Sequence, residues 1–116
     1  MPQNKQNNHK KLLSSLGLCA RAGALIFGTP MVCEAMRDEK KPLLVLESSD
    51  TSEGTHKRLT DKCTFYQVRH VRLACTGVEL AAALGKTASL AAVALRDEQL
   101  CRLIDQQLGA LSDDNH

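Results

Sequence analysis

Aromatic side chains are scarce. Phe27, Phe65 and Tyr66 are the only three in 116 residues, and tryptophan is absent. So few rings argue against a sheet that stacks bases on aromatic faces. No apolar run is long enough to cross a bilayer, and the polar start, Met1 to Asn8, lacks the hydrophobic segment of a secretory signal. There is no Walker loop and no Gly-x-Gly-x-x-Gly fingerprint. No Cys-x-x-Cys pair occurs among Cys19, Cys33, Cys63, Cys75 and Cys101, which disfavours a zinc site or a thioredoxin-type redox centre. An odd number of widely spaced cysteines in apolar surroundings reads instead as buried, reduced thiols of a cytoplasmic protein.

What is present is an alternation of short apolar runs and helical patterns. The length suits one domain with an ordinary core. Residues 1–8 read as a disordered tail, 9–109 as the single domain, and 110–116 as an acidic tail. A helix is expected from about Asn8 or His9, with Leu12, Leu13, Leu16, Cys19 and Ala20 at helical spacing. Gly17 lies inside it at a cost of ~1 kcal/mol relative to Ala, which close packing would justify. Gly23 suits the helix stop, and Ala24 to Phe27 make a short strand. A second helix is expected from Pro30 to about Asp38. The continuous run Leu43-Leu44-Val45-Leu46 fits a central strand covered on both faces.

Ser48 to Ser52 form a polar loop before a third helix, with Asp50 and Glu53 resembling a capping pair. Leu59 and Cys63 give that helix its inner seam, and Phe65 and Tyr66 close it. Arg69 to Leu73 alternate as a half-buried strand does. Thr76-Gly77-Val78-Glu79 is a clearer capping box, opening a fourth helix from Val78 to Leu84. Leu90 to Leu95 read as another central strand. Asp97 caps a last helix lined by Leu100, Leu103, Ile104 and Leu108 and ended by Gly109. A helix followed by four strand–helix alternations predicts an α/β fold: a three-layer α/β/α sandwich around a small, about four-stranded sheet.

Little in the chain looks catalytic. His9, His56 and His70 lie in polar or basic surroundings and His116 ends the chain; none has a Cys or carboxylate at a spacing that suggests a ligand set or a relay. Glu47, Asp50 and Glu53 gather near one loop, where paired carboxylates can do acid–base work, but capping is the simpler role. No enzyme activity, cofactor or metal is expected.

Binding is better supported. The net charge of +2 is unevenly spread: Lys5, Lys10 and Lys11 stand at the start, Lys57, Arg58, Lys62, Arg69 and Arg72 in the middle, and acids dominate after Asp97. A basic surface attracts nucleic acid. In Phe27-Gly28-Thr29-Pro30-Met31 a strand turns into a helix. Gly28 is free to take an unusual backbone angle, Thr29 suits the N-cap and Pro30 the first helical position. A helix start can receive a phosphate or a carboxylate, although a well-capped helix alone would explain these residues. In an open α/β sheet, loops leaving the carboxyl ends of strands gather along one edge. The Gly28 turn and the Ser48–Ser52 loop both leave strands this way, and the second feeds a helix bearing Lys57 and Arg58. Those two cations either meet phosphates or merely solvate a helix face.

Several pieces then carry a resemblance. They are Leu16-Gly17-Leu18 with Ala20-Arg21-Ala22-Gly23, Gly28, Ser49-Asp50-Thr51-Ser52, Thr55 through Thr60-Asp61-Lys62-Cys63, Tyr66, Val68, Thr76, Glu79-Leu80 and Gly85-Lys86. In order and spacing, residues 10–108 resemble the bacterial YlxQ-like branch of the kink-turn RNA-binding ribosomal protein family. The resemblance implies a compact α/β/α protein that binds RNA in the setting of translation; it is expected to act without catalysis and as a monomer. Its partner would be a sharply bent RNA, a kink-turn or a ribosomal RNA element, with the ribosome as its setting and no membrane partner. The implied contacts are Gly28, Thr29, Pro30, Ser49, Lys57, Arg58, Lys86 and Thr87. One departure stands out: in the family pattern Gly-x-Asn-Glu-x-x-Lys, Pro30, Met31 and Glu34 occupy the Asn, Glu and Lys places. Pro30 and Met31 offer no side-chain hydrogen bond to a base edge, and Glu34 reverses the charge. A protein–protein adaptor on the same fold and an anion binder at the Thr29 helix start are the alternatives.

Overall fold

Strand pairing follows the apolar runs. The computed structural model describes the backbone of residues 2–113 and the side chains of residues 9–111. Its elements run α1 (Pro2–Arg21), β1 (Leu25–Phe27), α2 (Thr29–Ala35), β2 (Leu44–Glu47), α3 (Glu53–Tyr66), β3 (Arg69–Arg72), α4 (Gly77–Ala83), β4 (Ala92–Leu95) and α5 (Glu98–Asp113). Among the described residues the strands form one four-stranded sheet in the order β1-β4-β2-β3. β4 runs antiparallel to both β1 and β2, while β2 and β3 are parallel. The two central strands are buried throughout and the edge strand β3 is not, as a sheet covered on both faces requires.

Side chains alternate between two cores because successive residues of a strand point to opposite faces. Leu44, Leu46, Val93 and Leu95 pack with Leu12, Leu16 and Cys19 of α1, Leu80 and Ala81 of α4, and Cys101, Ile104 and Leu108 of α5. Val45, Ala92 and Ala94 face the other way, against Val32, Cys33 and Met36 around α2 and Leu59 and Cys63 of α3. The α/β/α sandwich is therefore observed. All five cysteines are free and buried. Burial pushes the thiols of Cys63, Cys75 and Cys101 up to about 11. Gly17 has its packing reason: a Cβ there would lie 2.9 Å from the carbonyl oxygen of Ala83, where α1 crosses α4.

The local structure departs from the sequence pattern in several places. α1 begins at Pro2, within the stretch expected as a tail. α2 starts at Thr29, with Gly28 as its N-cap, and ends at Ala35 rather than Asp38. Ser52, not Asp50, caps α3, its hydroxyl accepting from the Thr55 N–H at 3.2 Å. Asp50 instead accepts from the N–H of Gly77 at 2.9 Å, so it caps α4 across 27 residues. The Thr76–Glu79 capping box is present in both directions, and Asp97 caps α5 through the Leu100 N–H. α5 continues past Gly109 because Leu108 and Leu111 extend its apolar stripe. Leu103 is exposed, and Cys101 takes the inward place expected of it. Residues 114–116, with His116, lie outside the described residues.

Candidate nucleic-acid interface

Antiparallel pairing decides which loops meet. Because β4 runs opposite to β1 and β2, its start lies beside their carboxyl ends. The Gly28 N–H donates to the Ala92 carbonyl at 2.9 Å, and the Ser48 N–H to the Ala91 carbonyl at 2.9 Å. The Ser49 N–H donates to Cys75 at 2.8 Å, and the Leu90 N–H to Gly77 at 3.1 Å. The turn after β1, the loop after β2, the start of α4 and the link before β4 thus form one continuous rim at one end of the sheet.

Gly28 sits in the rim at φ 86° and ψ 148°, a combination that side chains with a Cβ rarely adopt, so glycine is required there. No side chain caps α2. Thr29, expected at the cap, lies inside the first turn, and its buried hydroxyl oxygen has no hydrogen-bond partner among the described residues. Pro30 is exposed in the same turn. Lys86 crosses the rim: its ammonium sits 4.3 Å from the centroid of the Phe27 ring. That cation–π contact holds one positive charge beside the Gly28 turn. Thr87 follows Lys86 in the exposed link. Gly28, Thr29, Pro30, Lys86 and Thr87 are therefore brought together.

Ser49 joins them through the second loop. The Arg72 guanidinium donates to the Ser49 carbonyl at 3.1 Å and to the Thr51 hydroxyl at 3.3 Å. Lys57 and Arg58 lie on the exposed side of α3, following that loop. Lys57 is paired with Asp61 at 2.9 Å along the helix, both side chains open to solvent. Among the described residues, no hydrogen bond or ion pair connects Lys57 or Arg58 to Gly28 or Lys86. On the outer side of α2, Met31 is 56% exposed and Glu34 is exposed beside it.

Beneath the second loop lies a cluster that sequence reading missed. Glu47, the last residue of β2, is completely buried. Val45 and Glu47 share the sheet face that α3 covers, and His70 and Arg72 of β3 stand in register with them. The Glu47 carboxylate accepts from the Thr51 hydroxyl, from His56 Nδ1 at 2.9 Å and from His70 Nε2 at 2.7 Å. Arg72 Nε lies 3.8 Å away. Burial alone would push the carboxyl up. The hydrogen bonds from Thr51, His56 and His70 and the charge of His56 outweigh it, and hold the group below the usual carboxylate range. His56 and His70 thus do have a carboxylate partner, one that α3 and the β2–β3 pairing supply. Among the described residues no group of three or more His, Cys, Asp or Glu is placed to hold a metal ion, and no helix is long and apolar enough to cross a membrane.

No protein-family model matches the chain. It is 36% identical over 63 residues to the RNA-binding protein YlxQ of Enterococcus faecium, a match covering 54% of this chain and 60% of that one. The chain therefore spans less than two thirds of that relative's length. It is 34% identical over 83 residues to the RNA-binding protein YlxQ of Bacillus subtilis, covering 72% of this chain and 80% of the relative. Among solved structures, a Bacillus halodurans protein with unknown function superposes with a TM-score of 0.77 at 32% identity, covering 85% of this chain and 97% of its own. The Giardia lamblia 15.5kD RNA binding protein shares the fold, with a TM-score of 0.72 at 15% identity over 92% of this chain and 89% of its own. By its extended match to the Bacillus subtilis protein, this chain belongs to the YlxQ family.

Proposed function

We propose that this chain is a non-enzymatic binder of structured RNA. The observation that supports it is the meeting of the Gly28 turn, the Ser48–Ser52 loop and the Lys86–Leu90 link at one sheet end, in a chain whose relatives are named RNA-binding proteins. In this reading, Gly28 admits the RNA backbone closely, and Thr29, Pro30, Ser49 and Thr87 shape the contact. Lys57, Arg58 and Lys86 meet phosphates, which position a nucleic acid without reading its sequence. The favoured ligand is a sharply bent, kink-turn-like RNA, associated with the ribosome or translation in the cytoplasm and bound by a monomer.

Pro30, Met31 and Glu34 shift the recognition away from base edges at α2 and toward backbone shape. Crosslinking the protein to RNA in cells and sequencing the attached fragments tests the proposal. Enrichment of a structured ribosomal RNA segment supports it, and recovery at background level contradicts it.

A second reading, a protein–protein adaptor on the same fold, is favoured by exposed Met31 and acidic Glu34 where base readers would stand. A partner captured in a pull-down that survives nuclease treatment would support the adaptor.

A further inference from the structure

β2 reads Leu44-Val45-Leu46-Glu47, and its first three residues fill the two cores. An apolar fourth residue would complete the strand at no electrostatic cost. A carboxylate in that place must be desolvated, which is costly unless its oxygens are partnered. The partners are present, and apart from His70 they share one property: each belongs to the segment that leads into α3, or holds that segment in place. Thr51 is in the loop, and His56 is in the first turns of α3. Arg72 reaches from β3 over the loop to the Ser49 carbonyl and the Thr51 hydroxyl. His70 closes the cluster from β3. The loop is thus held both by Glu47, through Thr51, and by Arg72, through Ser49 and Thr51. A buried carboxylate with both oxygens hydrogen-bonded rigidifies the segments that supply its donors.

Resting on the RNA-binding reading of the rim, we propose that Glu47 is a positioning residue. Its buried carboxylate fixes the Ser48–Ser52 loop and the start of α3, and so sets where Ser49, Lys57 and Arg58 meet RNA. Glu47 touches no ligand itself. Its replacement therefore weakens RNA binding while every phosphate-facing cation stays in the chain.

The test compares wild type, Glu47→Leu and Glu47→Gln with two readouts. The first is amide hydrogen exchange in the free protein at Ser49, Thr55 and His56, whose N–H groups are bonded in the native loop and helix start. The second is affinity for a kink-turn RNA at several salt concentrations. Glu47→Leu is expected to keep a cooperative unfolding transition and to raise exchange at those amides at least tenfold. Its RNA affinity should fall at least fivefold with a smaller salt slope, because Lys57 and Arg58 no longer meet their phosphates. Glu47→Gln, which keeps one carbonyl acceptor, should fall between the two. Wild-type exchange and affinity in a folded Glu47→Leu protein overturn the proposal. Should Glu47→Leu fail to fold, Glu47→Gln and Thr51→Val carry the same test, and wild-type behaviour in both overturns it. Failure of the wild-type protein to bind RNA strikes the RNA reading, while the exchange measurement still decides whether Glu47 holds the loop.

Discussion

Replacing Gly77 by alanine probes the junction on which the rim depends. Gly77 opens α4, donates its N–H to Asp50 of the second loop and accepts from Leu90 of the link before β4. A Cβ at this position would stand 2.3 Å from Ser89 Oγ and 2.9 Å from the Leu90 carbonyl oxygen. The serine hydroxyl is the end of an exposed side chain and can rotate away. The carbonyl belongs to a backbone segment tied to Gly77 itself, so relief requires the link to move. Overpacking of this kind costs about 1–3 kcal/mol. The gain in helix propensity from Gly to Ala returns at most about 1 kcal/mol. The expected net loss is about 1–2 kcal/mol, or a fall in Tm of roughly 4–8 °C for a domain of this size.

Gly54→Ala is the matched control. It too lies in the first turn of a helix, but a Cβ there meets nothing within 4 Å. It should be neutral or stabilising by up to about 1 kcal/mol. Adding Ser89→Ala to Gly77→Ala should recover only part of the loss, because the clash with the carbonyl remains. Calorimetry and urea unfolding of the four proteins make the comparison. Equal stability of Gly77→Ala and Gly54→Ala, or full rescue by Ser89→Ala, would show that the Leu90 carbonyl does not constrain position 77.

Other consequences follow from single interactions. Glu47 has a folded-state carboxyl held below its ordinary value, so in acid the unfolded chain takes up this proton first. Its stabilisation is complete above the unfolded pKa and is lost as pH falls through the lower folded value; an NMR titration placing Glu47 at or above an ordinary glutamate would contradict this. Asp50→Ala strips the α4 N–H of its acceptor and should cost about 1 kcal/mol in urea unfolding, an effect whose absence would remove Asp50 from the junction. The Lys57→Ala, Arg58→Ala double variant should lower the log–log salt slope of RNA binding by roughly one unit for each phosphate no longer neutralised, and an unchanged slope would place both residues off the interface. Lys86→Ala should weaken RNA binding with little change in Tm, since its ammonium rests on Phe27 at the surface; a large drop in Tm with unaltered affinity would invert that assignment.

Features written in adjacent residues are legible in the sequence. The Thr76–Glu79 capping box spans four positions, and the runs Leu44–Leu46 and Ala92–Leu95 declare buried strands by composition alone. The rim is legible as well, because the rule that loops gather at strand ends needs only the order of elements. Its assembly differs in detail, since the link carrying Lys86 joins by the antiparallel course of β4. Features that depend on distant pairing are not legible. Asp50 reads as a cap for the helix three residues ahead, but the fold carries it to Gly77. Glu47, His56 and His70 are separated by 9 and 23 residues and meet only through α3 packing and parallel β2–β3 register. Thr29 departs from expectation for a local reason: Gly28 itself adopts the non-helical cap geometry, which moves the threonine into the first turn. The one visible hint of the cluster is an acidic residue ending an otherwise apolar strand.

In the proposed function, the rim receives a folded polynucleotide through backbone approach and cations. The most direct measurement is the affinity of the intact protein for a kink-turn RNA and for an unbent duplex of equal length, across a range of salt concentrations. Tighter binding of the bent RNA, with affinity that falls as salt rises, is the predicted result. Equal affinity for both, or no salt-dependent binding to either, would rule out the rim as a site for folded RNA.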